Sequence, residues 1–549
     1  MDRRAFLTLR RRAAESSPIS YAGTRRIDTG LTVYTGPWGT KEIVHLLKRT
    51  MFGAKKSDID YFKTLSTVQA VNALLNVPAT PPSPPVKHYS ENDGVAAGAT
   101  WVNTFSADGD VNRERINSFK SWWVGRMINQ ERNILEKMTL FWHNHFATET
   151  NVYGRGIFAY EHNAMLRANA LGNFKTLVKL VTLDRAMLIY LNGALNVKEA
   201  PDENYARELM ELFTLGKENN PNYTEPDVQA AARVLTGWTI DETTDERSFD
   251  PEKHDTGNKT FSSFFNNTVI AGQSGPTGGE TELDALLDMI FAKDVEVSEF
   301  IVRKIYRWFC YYIIDANTEN NVIKPLAQLF RNSNWEIKPV LDALFKSEHF
   351  FDPLNQGCLI KPPIDLYVGA SREFNVSFPA DSARQYEMWE HIYYEAGVIQ
   401  QNIGDPPSVS GWPAYYQLPQ FHEMWINNDT LPKRNIWTDT MIQQGYTRNG
   451  QTIKFDPIAF AQSLPNPGDP NALINDSLDI LYRVPLSDES KTVIKRSILL
   501  ANQLEDYYWT NEWTAFITNP NDAMARQIIT TRLTALYKYF MNLAEYQLS

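Results

Sequence analysis

Apolar residues recur at helical spacing along most of this chain. From Lys41, the positions Ile43, Val44, Leu47 and Met51 fall on one face and predict a helix, with a second near Val68 to Leu75. The stretch from Asn112 to Phe146 carries Trp122, Trp123, Met127, Ile134, Met138 and Phe141 at the same period. Helices are predicted next at about 157–170, 173–190, 202–215 and 226–236. The last opens on Thr224 with Asp227 three residues on, a capping box in which each side chain satisfies a free backbone N–H. Asp227 thus has a structural role ready for it.

The period breaks at identifiable places. Pro78 to Val86 reads PATPPSPPV, an extended connector. Residues 241–282 turn polar and Gly-rich, with Asp255-Thr256-Gly257 between Phe249 and Phe261, which predicts a small hairpin or a long ordered loop. Helical spacing resumes over 283–350, and Lys361-Pro362-Pro363 marks a further boundary. The remainder reads as helices joined by Pro-rich connectors, and no repeat of twenty to fifty residues is visible. The expected fold is mainly α, a multi-helix globular protein with a minor β-hairpin or loop insertion.

At 549 residues the chain exceeds what one ordinary core accommodates. The expected division is a flexible arm at 1–40, a helical core at 41–440 and a C-terminal helical region at 441–549 packed on it. Within the core, subdomains at about 41–240 and 283–440 flank the loop or hairpin at 241–282.

Charge and composition narrow the function classes. With 65 acidic against 54 basic residues the net charge is −11, so the average field opposes nucleic acid and anionic lipid. The one obvious basic cluster, Arg10 to Arg12 with Arg25 and Arg26, lies in the arm. Two cysteines, Cys310 and Cys358, argue against a disulfide framework or a thiolate zinc site. Cys310, in RWFCYYII, reads as a buried structural thiol. No apolar run is long enough to span a bilayer, the best being broken by Arg303, Lys304 and Arg307. The start, DRRAFL, is similar to a twin-arginine export signal, but Thr8-Leu9-Arg10-Arg11-Arg12 stands where an apolar segment should begin. A cytoplasmic location follows from the incomplete signal, and the degenerate twin-arginine start leaves export to the periplasm open.

Several segments carry a family resemblance. FWHNHF, LRANALGNF, ENYARELMELFTLG, YTEPDV and AARVLTGW, with HLLKRTMFG upstream and KHDTGNKTF and PPSVSGWPAYY downstream, closely resemble in order the signatures of the bacterial domain-of-unknown-function family 1800 (DUF1800). The resemblance covers about residues 40 to 440. It implies no settled activity. It does imply frequent export, and a partner from a neighbouring exported, sulfatase-like family; export in complex with a partner bearing a working signal would reconcile this with the degenerate start.

The candidate chemistry lies mostly in those segments. His143 and His145 are two apart, about 200° around a helix, so they could bind one metal only if the helix ends there. Otherwise one ring is buried and hydrogen-bonded while the other caps the helix C-terminus. Glu208 and Glu211 share a face with Asn204, and Arg207 lies beside them, a geometry that serves acid/base chemistry, metal ligation or an ordinary solvated surface. A di-iron site would need Glu-x-x-His, which is missing there. Arg167 could clamp a carboxylate or phosphate, or pair internally with Glu208 or Glu211. His254 and Asp255, beside a Gly turn, could hold a divalent ion or act as base and orienter, or be an exposed His beside a turn-forming Asp. No Walker loop, dinucleotide fingerprint or nucleophile elbow is present. Gly411-Trp412-Pro413 with Tyr415 and Tyr416 could form an aromatic platform or simply pack a loop.

The leading expectation is an acid/base or metal-dependent enzyme, hydrolytic or proton-transferring, with a polar cleft built from residues 140–261. His143, His145, His254 and Asp255 would ligate zinc, iron or manganese. Glu208 and Glu211 would act on substrate, with Arg167 and Arg207 orienting it. The competing expectation is a non-catalytic binding or assembly protein that acts with an exported partner or an envelope polymer.

Overall fold

The computed structural model of the chain describes residues 29–216, 223–241, 243–412 and 423–549. The paired-arginine start, the cluster Arg10–Arg12 with Arg25 and Arg26, and Pro413, Tyr415 and Tyr416 lie outside the described residues.

Helix dominates, as the spacing of apolar residues predicts. The Thr40–Thr50 helix buries Ile43, Val44, Leu46 and Leu47, and Thr67–Leu74 follows with a Ser66–Gln69 capping box. A helix that the pattern does not predict, Lys56–Lys63, lies between them. Two long predicted stretches are divided by short polar side chains that compete for backbone N–H groups. Asn133 accepts the Leu135 N–H (3.0 Å) and separates Gly109–Ile128 from Leu135–His145. Asp184 caps Arg185–Tyr190 and separates it from Phe174–Thr182. At Thr224 the capping box forms, with the Thr224 N–H donating to Asp227 (2.7 Å). Asp227 also accepts from the Ser262 N–H and hydroxyl, which ties the polar segment to this helix.

That segment contains two short antiparallel ribbons, Trp238–Ile240 with Arg247–Phe249 and Lys259–Thr260 with Val269–Ile270. A third ribbon, Tyr446–Arg448 with Gln451–Ile453, stands where the reading from sequence expects only helices and connectors. Its turn is Asn449-Gly450, with φ of 52° and 77°. Asn-Gly is the dipeptide that such two-residue hairpins favour, so the signal was present in the sequence.

Buried apolar side chains form one contiguous cluster from Ile43 to Tyr546. Gly109–Ile128 packs along Ser382–Val398. A Cβ at Gly125 would lie 2.6 Å from the Trp389 ring, so glycine sets how closely these two helices approach. The C-terminal region docks on the first helix through Lys48 Nζ to the Leu481 carbonyl (3.0 Å) and Arg483 to the Lys41 carbonyl (2.7 Å). Cys310 is buried, and both cysteines are free. Among the described residues no helix is long and apolar enough to cross a membrane.

Candidate functional site

The His-Asn-His run ends the Leu135–His145 helix, and its first two residues face the 404–412 loop while His145 faces the 209–214 turn. His143 Nε2 accepts the Gly404 N–H (3.1 Å), and Asn144 Oδ1 accepts the Trp412 N–H (2.8 Å). His145 Nε2 donates to the Phe213 carbonyl (3.1 Å). The divergence follows from the 100° step of the helix. Gly411 completes the docking: its φ is +85°, and a Cβ there would meet the Asn144 carbonyl oxygen at 2.3 Å. Both rings are buried, so neither is a cationic helix cap. Burial, with His162 and Lys120 adding to it, pushes His143 down to about 3. Burial and Lys304 likewise lower His145, which sits among Phe141, Trp142, Phe146 and Phe213.

His254 is also buried. Its Nδ1 faces the Thr236 carbonyl (2.9 Å) and its Nε2 faces Glu282 Oε1 (3.1 Å). The other Glu282 oxygen takes Lys259 Nζ (2.6 Å), and all three side chains are buried. Asp255 points to Arg233, which donates from Nε (2.6 Å) and Nη2 (3.1 Å), and accepts the Gly257 N–H (2.8 Å). Burial raises the Asp255 carboxyl, but the bonds from Arg233 and Gly257 outweigh it and hold it below the usual carboxylate range.

The structure thus sets His143, His145, His254 and Asp255 among separate partners. Among the described residues no group of three or more His, Cys, Asp or Glu is arranged to hold a metal ion. Arg167 does not reach Glu208 or Glu211. It forms a bidentate pair with Glu136 (3.0 and 2.8 Å), gives its remaining terminal nitrogen to Asn163 (2.6 Å), and lies over the Trp122 ring. Arg207 is half-exposed and bridges Glu203 (2.9 Å) and Glu225 (2.9 Å).

What the fold does bring together is a row of carboxylates and phenols. The Asn204–Glu208 helix runs on into a π-turn, Leu209–Thr214, which shifts Glu211 off the face that an ideal helix would give it. Tyr190, at the end of its short helix, donates to Glu149 (2.8 Å) in the loop just after His145. Burial, that bond and the charges of Glu149 and Glu208 all raise the Tyr190 phenol. Burial and the charges of Glu211 and Glu208 likewise raise Tyr223, although Arg207 opposes this. Both phenols therefore stay protonated. Glu149 and Tyr190 were missed from sequence. Glu149 stands in the FWHNHFATET run and was open to notice, whereas nothing in the sequence around Tyr190 marks it.

Compared with known proteins, the chain matches the model of one family, described as protein of unknown function (DUF1800), over residues 45–548. No curated protein and no solved structure matches it.

Proposed function

The chain belongs to the DUF1800 family, and from that premise, with no activity to inherit, we propose that it is an acid/base enzyme carrying out hydrolysis or proton transfer. Its reactive groups would be Glu208, Glu211, Glu149 and Tyr190. The observation that carries this reading is the convergence of Glu149, Tyr190 and Glu208 from three segments onto one half-buried row, where burial and then two carboxylates keep a phenol protonated. Such a row holds a proton donor beside proton acceptors, which is what general acid/base catalysis requires.

In this reading Glu208 takes a proton from water or substrate, and Tyr190 supplies one to the leaving group. Arg207, anchored by Glu203 and Glu225, orients an anionic part of the substrate. Arg167 acts only at a distance: its guanidinium is engaged by Glu136 and Asn163 and steadies the helix pair from which the Glu149 loop leaves. His143 Nε2, His145 Nε2, both His254 nitrogens and the Asp255 carboxylate are directed at their own partners, so the reading does not call on a metal.

The test is a panel of chromogenic esters, amides, glycosides and phosphate esters with wild type, Glu208→Gln and Tyr190→Phe. Turnover on one class, falling about 100-fold or more in both variants without a change in thermal unfolding, is the expected result. Wild-type turnover retained in Glu208→Gln, or no turnover on any class, overturns it.

A further inference from the structure

The chain has two cysteines, Cys310 and Cys358, 48 residues apart in sequence, and they meet in the fold. Cys358 Sγ lies 3.2 Å from the Cys310 carbonyl oxygen and 3.2 Å from that of Asn355. Standard backbone geometry then sets this sulfur within about 6 Å of the Cys310 Cα. A buried side chain touches about 6–12 others. Two cysteines placed without regard to each other among 549 residues would therefore meet in only about one or two cases in a hundred. Chance packing is a poor account of this pair, and the acid/base reading makes no use of it.

The two thiols have different surroundings. Cys310 ends the Asp294–Phe309 helix and is 1% exposed. Burial pushes its thiol up, Arg49 pulls it down, and Cys358 adds to the rise. Cys358 is half-buried, so a small reagent reaches it first. Arg49 Nη2 stands 3.2 Å from its sulfur, a cation beside the atom that must carry negative charge in order to attack.

Both stand where the backbone has room to adjust. Cys310 is at a helix end, and Cys358 lies in the connector between the Pro353–Asn355 turn and the Pro363–Glu373 helix, just after Gly357 with a φ of +62°. Joined cysteines hold their Cα atoms about 4.4–6.8 Å apart, so closure requires rotation of the two side chains and at most a shift of this connector.

We propose that Cys310 and Cys358 are a redox pair that closes reversibly into a disulfide by exchange with a small-molecule disulfide, oxidised glutathione being the probe. The Cys358 thiolate attacks one sulfur of the reagent, whose S–S bond breaks and releases one glutathione thiolate, leaving a mixed disulfide on Cys358. Cys310 then gives up its proton and attacks the Cys358 sulfur, and the second glutathione leaves as the S–S bond to the protein forms. Two protein thiols are oxidised, one glutathione disulfide is reduced to two thiols, and the two protons go to them. The bond would tie the end of the Asp294–Phe309 helix to the connector whose Ile360 and Lys361 pair with Leu548 and Gln547, so that the thiol state sets how firmly the C-terminal region is held.

The test is to incubate the folded full chain with oxidised glutathione, quench with acid, remove the reagent, then unfold the chain and label free thiols with a maleimide before intact-mass spectrometry. The expected product takes up no maleimide and has lost two hydrogens, and dithiothreitol restores both labelling sites. Cys310→Ser should stop at one glutathione on Cys358, whereas Cys358→Ser should take up none. The oxidised wild type should unfold about 3 °C above the reduced form, because a cross-link over a loop of this length restricts the unfolded chain. Wild type that keeps both thiols, or that stops at the mixed disulfide, overturns the proposal without needing any variant to fold. Glutathione taken up at Cys310 by Cys358→Ser overturns it as well, and so does an oxidised form no more stable than the reduced one, since a pair built to meet closes without straining the fold.

Discussion

Replacing Arg167 by Met tests whether this arginine holds the fold together or is available to substrate. Arg167 and Glu136 are each 4% exposed at the side chain and share two charge-assisted bonds of 3.0 and 2.8 Å. Removing one member strands a buried carboxylate, which costs about 3–5 kcal/mol. Two neighbours soften the loss: Trp123 Nε1 donates to Glu136 (3.2 Å), and Arg126 Nε stands 4.0 Å away. The lower end, about 3 kcal/mol, is therefore expected. An unfolding entropy of about 2.1 cal/mol/K per residue gives roughly 1.2 kcal/mol/K for the whole chain, so Tm should fall by about 2–3 °C. Differential scanning calorimetry reads this shift, and the fluorescence of Trp122, which the guanidinium overlies, reports the local change. Adding Glu136→Gln to Arg167→Met removes the stranded charge and should recover most of the loss. If Arg167→Met unfolds within about 0.5 °C of wild type, and the double variant does the same, the reasoning fails and Arg167 is free for another role.

Acid should destabilise the protein through its buried histidines. His143 is held down to about 3 and His391 to about 4, each chiefly by burial. The unfolded chain takes up protons near pH 6.5 while these folded rings do not, so stability is full above about pH 6.5 and falls as pH drops through the window toward those values. His143→Gln keeps an acceptor for Gly404 and removes one titration, so its stability-versus-pH curve should be shallower by up to about 1.4 kcal/mol per pH unit in that window. An unchanged slope would show that His143 does not remain neutral. Gly411→Ala and Gly450→Ala form a matched contrast. Both glycines have positive φ (85° and 77°), but an added Cβ meets the Asn144 carbonyl in the first and open space in the second. Gly450→Ala should cost about 1 kcal/mol. Gly411→Ala should cost clearly more and open the 404–412 loop to limited proteolysis; equal losses would mean that the loop does not rest on Asn144.

Helices were legible in the sequence because a helix has to present an apolar stripe every 3.6 residues. Their interruptions at Asn133 and Asp184 were not, since a capping side chain wins only where the chain around it lets the helix end. The Asn449-Gly450 turn was legible in principle, through the positive φ at both residues. The histidines show the other limit. Their spacing established that His143 and His145 diverge, but not where each would point, and the partners turned out to be backbone groups of Gly404 and Phe213. Arg167 met Glu136, 31 residues earlier, and not the glutamates of the 202–215 helix.

The sequence by itself determined the family, the helical class and the local punctuation, because these rest on neighbours within a few turns. Only the tertiary structure decided which polar groups meet: Tyr190 with Glu149, His254 with Glu282, and Arg167 with Glu136. Such meetings depend on how distant helices pack around one apolar core, and that packing is fixed by shape and burial, which residue spacing does not record.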